Sequence, residues 1–283
     1  MKRIVCENQY GETIEFAYDG NPLRLSDTSG FSEADYTVNT SKNSGQDGET
    51  YNGAQANKRN PVITAEIFSD YQAQRDRLYS IFQPRSPGII YCYGDDSGGR
   101  KAGCYVEKIS IEESGVVRVA TISLICPDPK FYALDDQLTQ LAVWRGKITF
   151  PLRLSNPFTV TEKINTLIGN VHNDSAVSMG LTVKFTATGT VVNPSLYDVN
   201  RHELMQINTT MHAGDIIIIT TGDGNKRVKL MSGGVTTNIN NLMLYPPKWL
   251  QAYQGDNLFR YNADSGIDSL SVSILSTQAY WGA

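Results

Sequence analysis

Apolar and polar residues alternate with a period of two along most of this chain, in short runs separated by turns. Ile4–Tyr18 alternates loosely around Gly11, the pattern of two half-buried strands. Pro61–Phe68 and Gly88–Tyr93 each predict a strand, and Cys104–Ile111 with Val116–Cys126 predicts a hairpin turning at Glu112–Gly115. One segment changes period. Ala73, Arg77, Leu78, Ile81 and Phe82 lie at helical spacing, so a helix of about three turns is predicted from Tyr71 to Phe82, capped by Asp70 and ended by Pro84. Its apolar stripe is narrow, as befits a helix lying on a sheet.

The strand at Ile122 is stopped by two prolines in Cys126-Pro127-Asp128-Pro129. Proline supplies no ladder N–H and forces its predecessor into an extended conformation, so a buried strand ends near Cys126 and the chain leaves on a stiff loop. Residue usage then changes. Strands are predicted at Leu152–Pro157, Leu181–Ala187, Ile216–Thr220, Arg227–Met231, Asn257–Asn262 and Leu270–Leu275, with a turn at Thr221–Asn225. The expected architecture is mainly β in two domains, residues 1–135 and 136–283. The first is a β-sandwich or roll with one short helix, and the second is a β-sandwich.

Between Val38 and Arg59 the alternation disappears into Asn39-Thr40-Ser41-Lys42-Asn43-Ser44-Gly45 and similar polar sequence. Such a segment buries too little surface to offset its ordering entropy. Long loops of this kind are either mobile or used for contacts. Residues 38–60 therefore read as a polar arm, either a floppy excursion or a clasp on a neighbouring subunit.

Composition supports strands over helices: 40% of the 283 residues are hydrophobic but only 19% charged, too few for the faces of many surface helices. Charge is uneven, with 14 basic against 19 acidic residues in 1–135 and 11 against 10 in 136–283. An acidic first half argues against tight nucleic-acid binding, which needs a basic face. Cys6, Cys92, Cys104 and Cys126 form no Cys-x-x-Cys pair and sit among strand residues, so buried reduced thiols are expected. The first residues lack the apolar core of a signal peptide, and no apolar run reaches the ~20 residues of a membrane helix. Synthesis in the cytoplasm is expected.

Catalytic chemistry finds little support. His172, His202 and His212 share no metal-ligand spacing. Asp95-Asp96 and Asp135-Asp136 are adjacent residues on turns, which point apart and do not make an acid–base pair. No phosphate loop, nucleophile elbow or calcium loop is present, so neither enzyme activity nor a cofactor or metal is expected. In the second half Trp249, Tyr253, Tyr261, Tyr280 and Trp281 supply aromatic faces. They are candidates for stacking on sugars, with Trp249 and Tyr253 foremost, or for filling a core or subunit interface.

The order of the pieces resembles a known family. The first half runs from Asp47-Gly48 through Arg59-Asn60-Pro61-Val62-Ile63 to the helix Arg75–Phe82 with Pro84. Gly88-Ile89-Ile90-Tyr91, a turn at Gly98–Gly103, Tyr105-Val106-Glu107-Lys108-Ile109 and Ile122–Phe131 follow. This is similar to the N-terminal domain of distal tail proteins of long, non-contractile-tailed bacteriophages and prophages. Ala213-Gly214-Asp215, Gly222–Asn225, Gln254-Gly255-Asp256-Asn257 and Tyr261-Asn262-Ala263 resemble that family's galectin-like or carbohydrate-module-like C-terminal domain.

The resemblance implies a structural protein of the virion, at the distal end of the tail. It implies a homohexameric ring that joins tail tube to baseplate or tail tip and passes DNA through its channel. Its partners would be the tail tube protein, a tail-tip protein and a receptor-binding protein carried on outward C-terminal domains. Asp47, Gly48 and Asn57 of the arm, and the turn residues Arg100 and Lys101, are the candidate ring contacts. Two other functions compete: a carbohydrate-binding module for cell-wall glycans, acting through Trp249 and Tyr253, and a hub or tube protein of a contractile tail.

Overall fold

A computed structural model of the chain describes residues 2–45, 47–94, 98–112, 117–146, 161–165 and 167–283, with strands Ala142–Gly146 and Thr161–Asn165 described by their backbone alone. Asp95-Asp96, the hairpin turn beyond Glu112 and the strand predicted at Leu152–Pro157 lie outside the described residues. The chain divides into two compact units, residues 1–134 with 279–283, and residues 135–278.

In the first unit seven strands are hydrogen-bonded in the order Arg100–Glu112, Pro87–Tyr93, Arg3–Asn8, Thr13–Ala17, Leu23–Ser29, Val62–Ile67, Arg118–Ile125. The last pairs back onto the first, from Tyr105 opposite Ile125 to Glu112 opposite Val119, so the sheet closes into a barrel. Every pairing in the ring is antiparallel except one, where Ala17 and Arg24 make a single parallel contact. Closure removes the sheet's open edges. Alternation of burial along the strands points Ile4, Phe16, Leu25, Ile63, Ile90 and Ile122 inward, each at most 1% exposed. Past the closure the sheet continues through Phe131–Ala133 to Ala279–Tyr280, so the end of the chain is a strand of the first unit.

The one α-helix among the described residues, Tyr71–Ile81, lies where the 3.6-residue spacing predicts it. It buries Leu78 and Ile81, and Phe82 just beyond it lies 6.2 Å from Phe16. Asp70 does not cap it by its side chain. Its backbone is left-handed (φ 47°), and it is the Asp70 carbonyl that accepts from Gln74 N–H. Gly98–Gly103 is not one turn, since Arg100 already begins a 13-residue strand. All four cysteines are free and buried in the barrel. Burial pushes the Cys92 and Cys104 thiols up to about 12 and Cys126 to about 11, which leaves them unreactive.

The second unit is a sandwich. One sheet runs Gln137–Gln140, Leu270–Ser276, Met179–Ala187, Ile216–Thr220, Arg227–Ser232, Val235–Asn238, and the other Ile168–Asn173, Gly255–Asn262, Ser195–Asp198, Glu203–Gln206. Val183, Phe185, Ile217 and Ile274 of the first face Val171, Leu196, Phe259 and Tyr261 of the second across a shared core.

Candidate functional site

The polar arm is a β-hairpin. Tyr36–Ser41 pairs antiparallel with Thr50–Ala56, with a register shift at Asn39/Thr40. The alternation missed in the sequence is present, but its apolar members are sparse. Tyr36, Val38 and Thr40 face Ala56, Ala54 and Tyr51 on one side, and the other side holds Thr37, Asn39 and Gln55. Only Trp281 meets the first side among the described residues, at Tyr36; Tyr36, Val38 and Tyr51 are 46%, 56% and 65% exposed. Asp47 and Gly48 stand exposed toward the tip, with Gly45 and Gly48 at positive φ. A lone two-stranded hairpin is marginal in water. It needs an anchor.

Arg59, just after the second arm strand, supplies it. Only 5% exposed, its guanidinium donates to five backbone carbonyls. Nε reaches Pro129 O at 3.0 Å, and Nη1 reaches Gly30 O at 3.1 Å and Phe31 O at 2.9 Å. Nη1 also bonds Glu33 O, and Nη2 bonds Trp281 O. The planar fork thus joins the chain entering the arm, the proline exit loop and the last residues of the chain. Its guanidinium carbon lies 5.0 Å from the centre of the Phe131 ring. Burial lowers the guanidinium pKa, but a pKa this high leaves the group charged.

Neighbouring contacts hold the same corner. Asn57 N–H donates to Asp35 O at 2.9 Å, Thr37 Oγ1 donates to Asn57 Oδ1 at 3.0 Å, and Tyr36 meets Trp281 edge-on at 5.5 Å. Gly30 is obligatory here: a Cβ would lie 2.1 Å from Asn60 O, and its φ is +74°. Ser29, Glu33, Asp35, Asn57 and Lys58 line a polar cavity of about 280 Å³ beside Arg59.

Arg100 and Lys101 sit at the start of a strand and are engaged within the unit. Arg100 lies 4.0 Å over the Tyr280 ring and donates to Gly282 O, while Lys101 Nζ donates to Leu134 O at 2.9 Å. Arg59 and Arg100 together clasp the C-terminal segment. No local signal in the sequence marks this, because the partners are carbonyls up to 222 residues away.

The aromatic set of the second half is scattered. Tyr261 is wholly buried, Trp249 packs on the sandwich core, and Tyr280 and Trp281 belong to the barrel unit. Tyr253 is exposed at one side, but the Arg201 guanidinium lies 3.6 Å over its ring. Trp249 and Tyr253 are thus each engaged within the second unit.

His172 lies on a strand, and its ring nitrogens contact Asp256 Oδ1 at 2.6 Å and Asp174 Oδ1 at 2.9 Å. Those hydrogen bonds raise the His172 pKa. His202 bonds Tyr197 Oη, and His212 N–H bonds Asp215. Among the described residues no three His, Cys, Asp or Glu side chains are grouped to hold a metal.

Residues 11–126 match the family model described as the phage tail protein RIFT-related domain. That match covers most of the barrel unit. The similarity to distal tail proteins read from the sequence is borne out by the fold of the whole chain. SPP1 Dit, a protein of the hub adsorption apparatus in Gram-positive-infecting phages, superposes with a TM-score of 0.68 over 98% of this chain and 99% of its own, at 12% identity. Chains of the phage P2 baseplate in its activated conformation, with Ca and with Sr, give 0.52 at 10% identity over 100% of this chain and 99% and 100% of theirs. No curated protein matches the chain. The chain is a structural protein of the phage tail with the fold of hub and baseplate components.

Proposed function

We propose that the chain is a distal tail ring subunit. Six copies close through the barrel unit at the junction of tail tube and baseplate or tip, DNA passes through the channel, and residues 135–278 project outward to carry receptor-binding or adhesion components. The arm is the observation that carries this reading. A hairpin with exposed Val38 and Tyr51 on one side, anchored at its base by a buried arginine, is built to lie on something outside its own unit.

Cyclic symmetry repeats such a head-to-tail contact until the ring closes. Asp47, Gly48 and Asn57 take part in that contact, and Arg100 and Lys101 brace the unit from within. The acidic balance of residues 1–135 favours a lumen that does not retain phosphates.

Light scattering across a concentration series, with negative-stain images, tests the reading. The expected species is a six-fold ring of about 190 kDa, six copies of a 31.3 kDa chain, or a pair of such rings. Deleting Gly45–Gln55 is expected to shift the mass toward monomer. A monomer at every concentration in the presence of the tail tube protein, or normal rings from the deletion variant, would refute it.

A further inference from the structure

The larger sheet of the second unit, to which the short strand Gln251–Ala252 adds beside Met179–Ala187, turns one side to the core and the other to solvent. None of its seven strands contains an Asp or Glu. The charged residues of those strands are Lys184, Arg227 and Lys229, all exposed on the outer face. Lys184 and Lys229 both flank Ile218 in register, two strand spacings or about 10 Å apart, and Arg227 is two residues from Lys229. None of the three joins an ion pair among the described residues. Half-buried Ile216 and Ile218 fill the space between them. A cationic face that carries no acid of its own is complementary to an acidic partner.

The edge of the same sheet says what kind of partner. Val235–Asn238 is the last strand, exposed throughout, with no charge, proline or register shift along it. Edge strands are ordinarily blunted by one of those devices. The two-residue loop Gly233-Gly234, with φ of 56° and 80°, makes Ser232 and Val235 a hydrogen-bonded pair, which turns the N–H and C=O of Thr236 outward. Only a polypeptide can pair with that backbone.

We propose that a partner protein adds a strand beside Val235–Asn238 and places acidic side chains over Lys229 and Arg227, with Lys184 extending the cationic track. This deepens, and rests on, the reading of residues 135–278 as the attachment unit. The probe is a fluorescent ten-residue peptide alternating Glu and Thr, titrated onto the full-length chain. Its Lys–Thr counterpart, an alternately N-methylated Glu–Thr peptide and polyphosphate are run beside it.

The Glu peptide is expected to bind at least about tenfold tighter than the Lys peptide, and to lose about tenfold on the K184Q/R227Q/K229Q variant. Thr236→Pro or N-methylation of the peptide is expected to remove strand pairing. If Thr236→Pro lowers the melting temperature of the protein, the N-methylated peptide on the unaltered chain still decides the edge. Equal binding of the Glu and Lys peptides overturns the proposal. So does undiminished binding of the N-methylated peptide with full competition by polyphosphate, which would mark a polyanion site. Ring mass is measured on the same preparations: failure of the unaltered chain to form rings refutes the ring reading and leaves the peptide result standing.

Discussion

Replacing Arg59 with Met tests the anchor of the arm. Met keeps an unbranched apolar stem but removes every donor to the five carbonyls. The bond to Phe31 O is fully buried, and although Ala283 N–H still reaches that carbonyl, losing the charged donor there costs about 1.5–3 kcal/mol. The other four lie nearer solvent and recover part of their bonding from water. A total of about 3–5 kcal/mol follows, a large fraction of the stability of a domain this size. The cysteines provide a local assay. All four lie in the barrel unit and none in residues 135–278, so thiol labelling during a urea titration reports the opening of the barrel alone. With a urea slope of about 2 kcal/mol/M, the labelling midpoint should fall by about 2 M. Arg59→Lys should recover only part, since an ammonium has no planar fork. Glu33→Gln and Asp35→Asn should change little, because the charge is satisfied by carbonyls. A midpoint shift under about 0.5 M for Arg59→Met, or an equal loss for Glu33→Gln, would refute this account.

Removing residues 279–283 takes Tyr280 from beneath Arg100 and the Trp281 carbonyl from Arg59; the labelling midpoint should fall while melting of the second unit stays put. Gly30→Ala should cost at least about 2 kcal/mol by the same assay, because its Cβ meets Asn60 O and its φ is left-handed. Val38→Asp with Tyr51→Asp should leave the labelling midpoint unchanged and abolish the ring in light scattering. His172 responds to pH. Its folded pKa is raised, first by Asp256 and then Asp174, so its stabilising contribution is complete below the unfolded value of about 6.5 and is lost as pH rises through the folded value. Asp174 and Asp256 are lowered, chiefly by Gln278 and Asn170, so theirs is present above the unfolded carboxylate value and lost as pH falls through the folded one. Melting of His172→Gln should therefore differ from the parent between those limits and converge with it in alkali; a difference that persists unchanged into alkali would exclude the histidine as its source.

What this chain writes locally was legible in its sequence. Strands such as Val62–Ile67 and Ile216–Thr220 follow from period-two burial of β-branched residues, and the helix Tyr71–Ile81 from the change of period and Pro84. The ordered series of motifs from Arg59 to Phe131 carried the likeness to phage tail proteins. Tertiary structure alone decided the rest, because its contacts join residues far apart. The barrel closes where Tyr105–Glu112 meets Val119–Ile125, and no single strand pattern distinguishes that from an open sheet. The arm is a hairpin although few of its residues are apolar, since its base is held from elsewhere. Asp70 looked like a cap and is not one, because a left-handed backbone turns its side chain away from the role. Arg100 looked like a surface turn, and Trp249 and Tyr253 like a platform. The first is committed to the chain's own last residues, the second to a core, and the third lies under Arg201. Arg59 reads as one more basic residue in a polar stretch. Only the convergence of Gly30, Phe31, Glu33, Pro129 and Trp281 makes it the anchor, and backbone carbonyls carry no sequence signature.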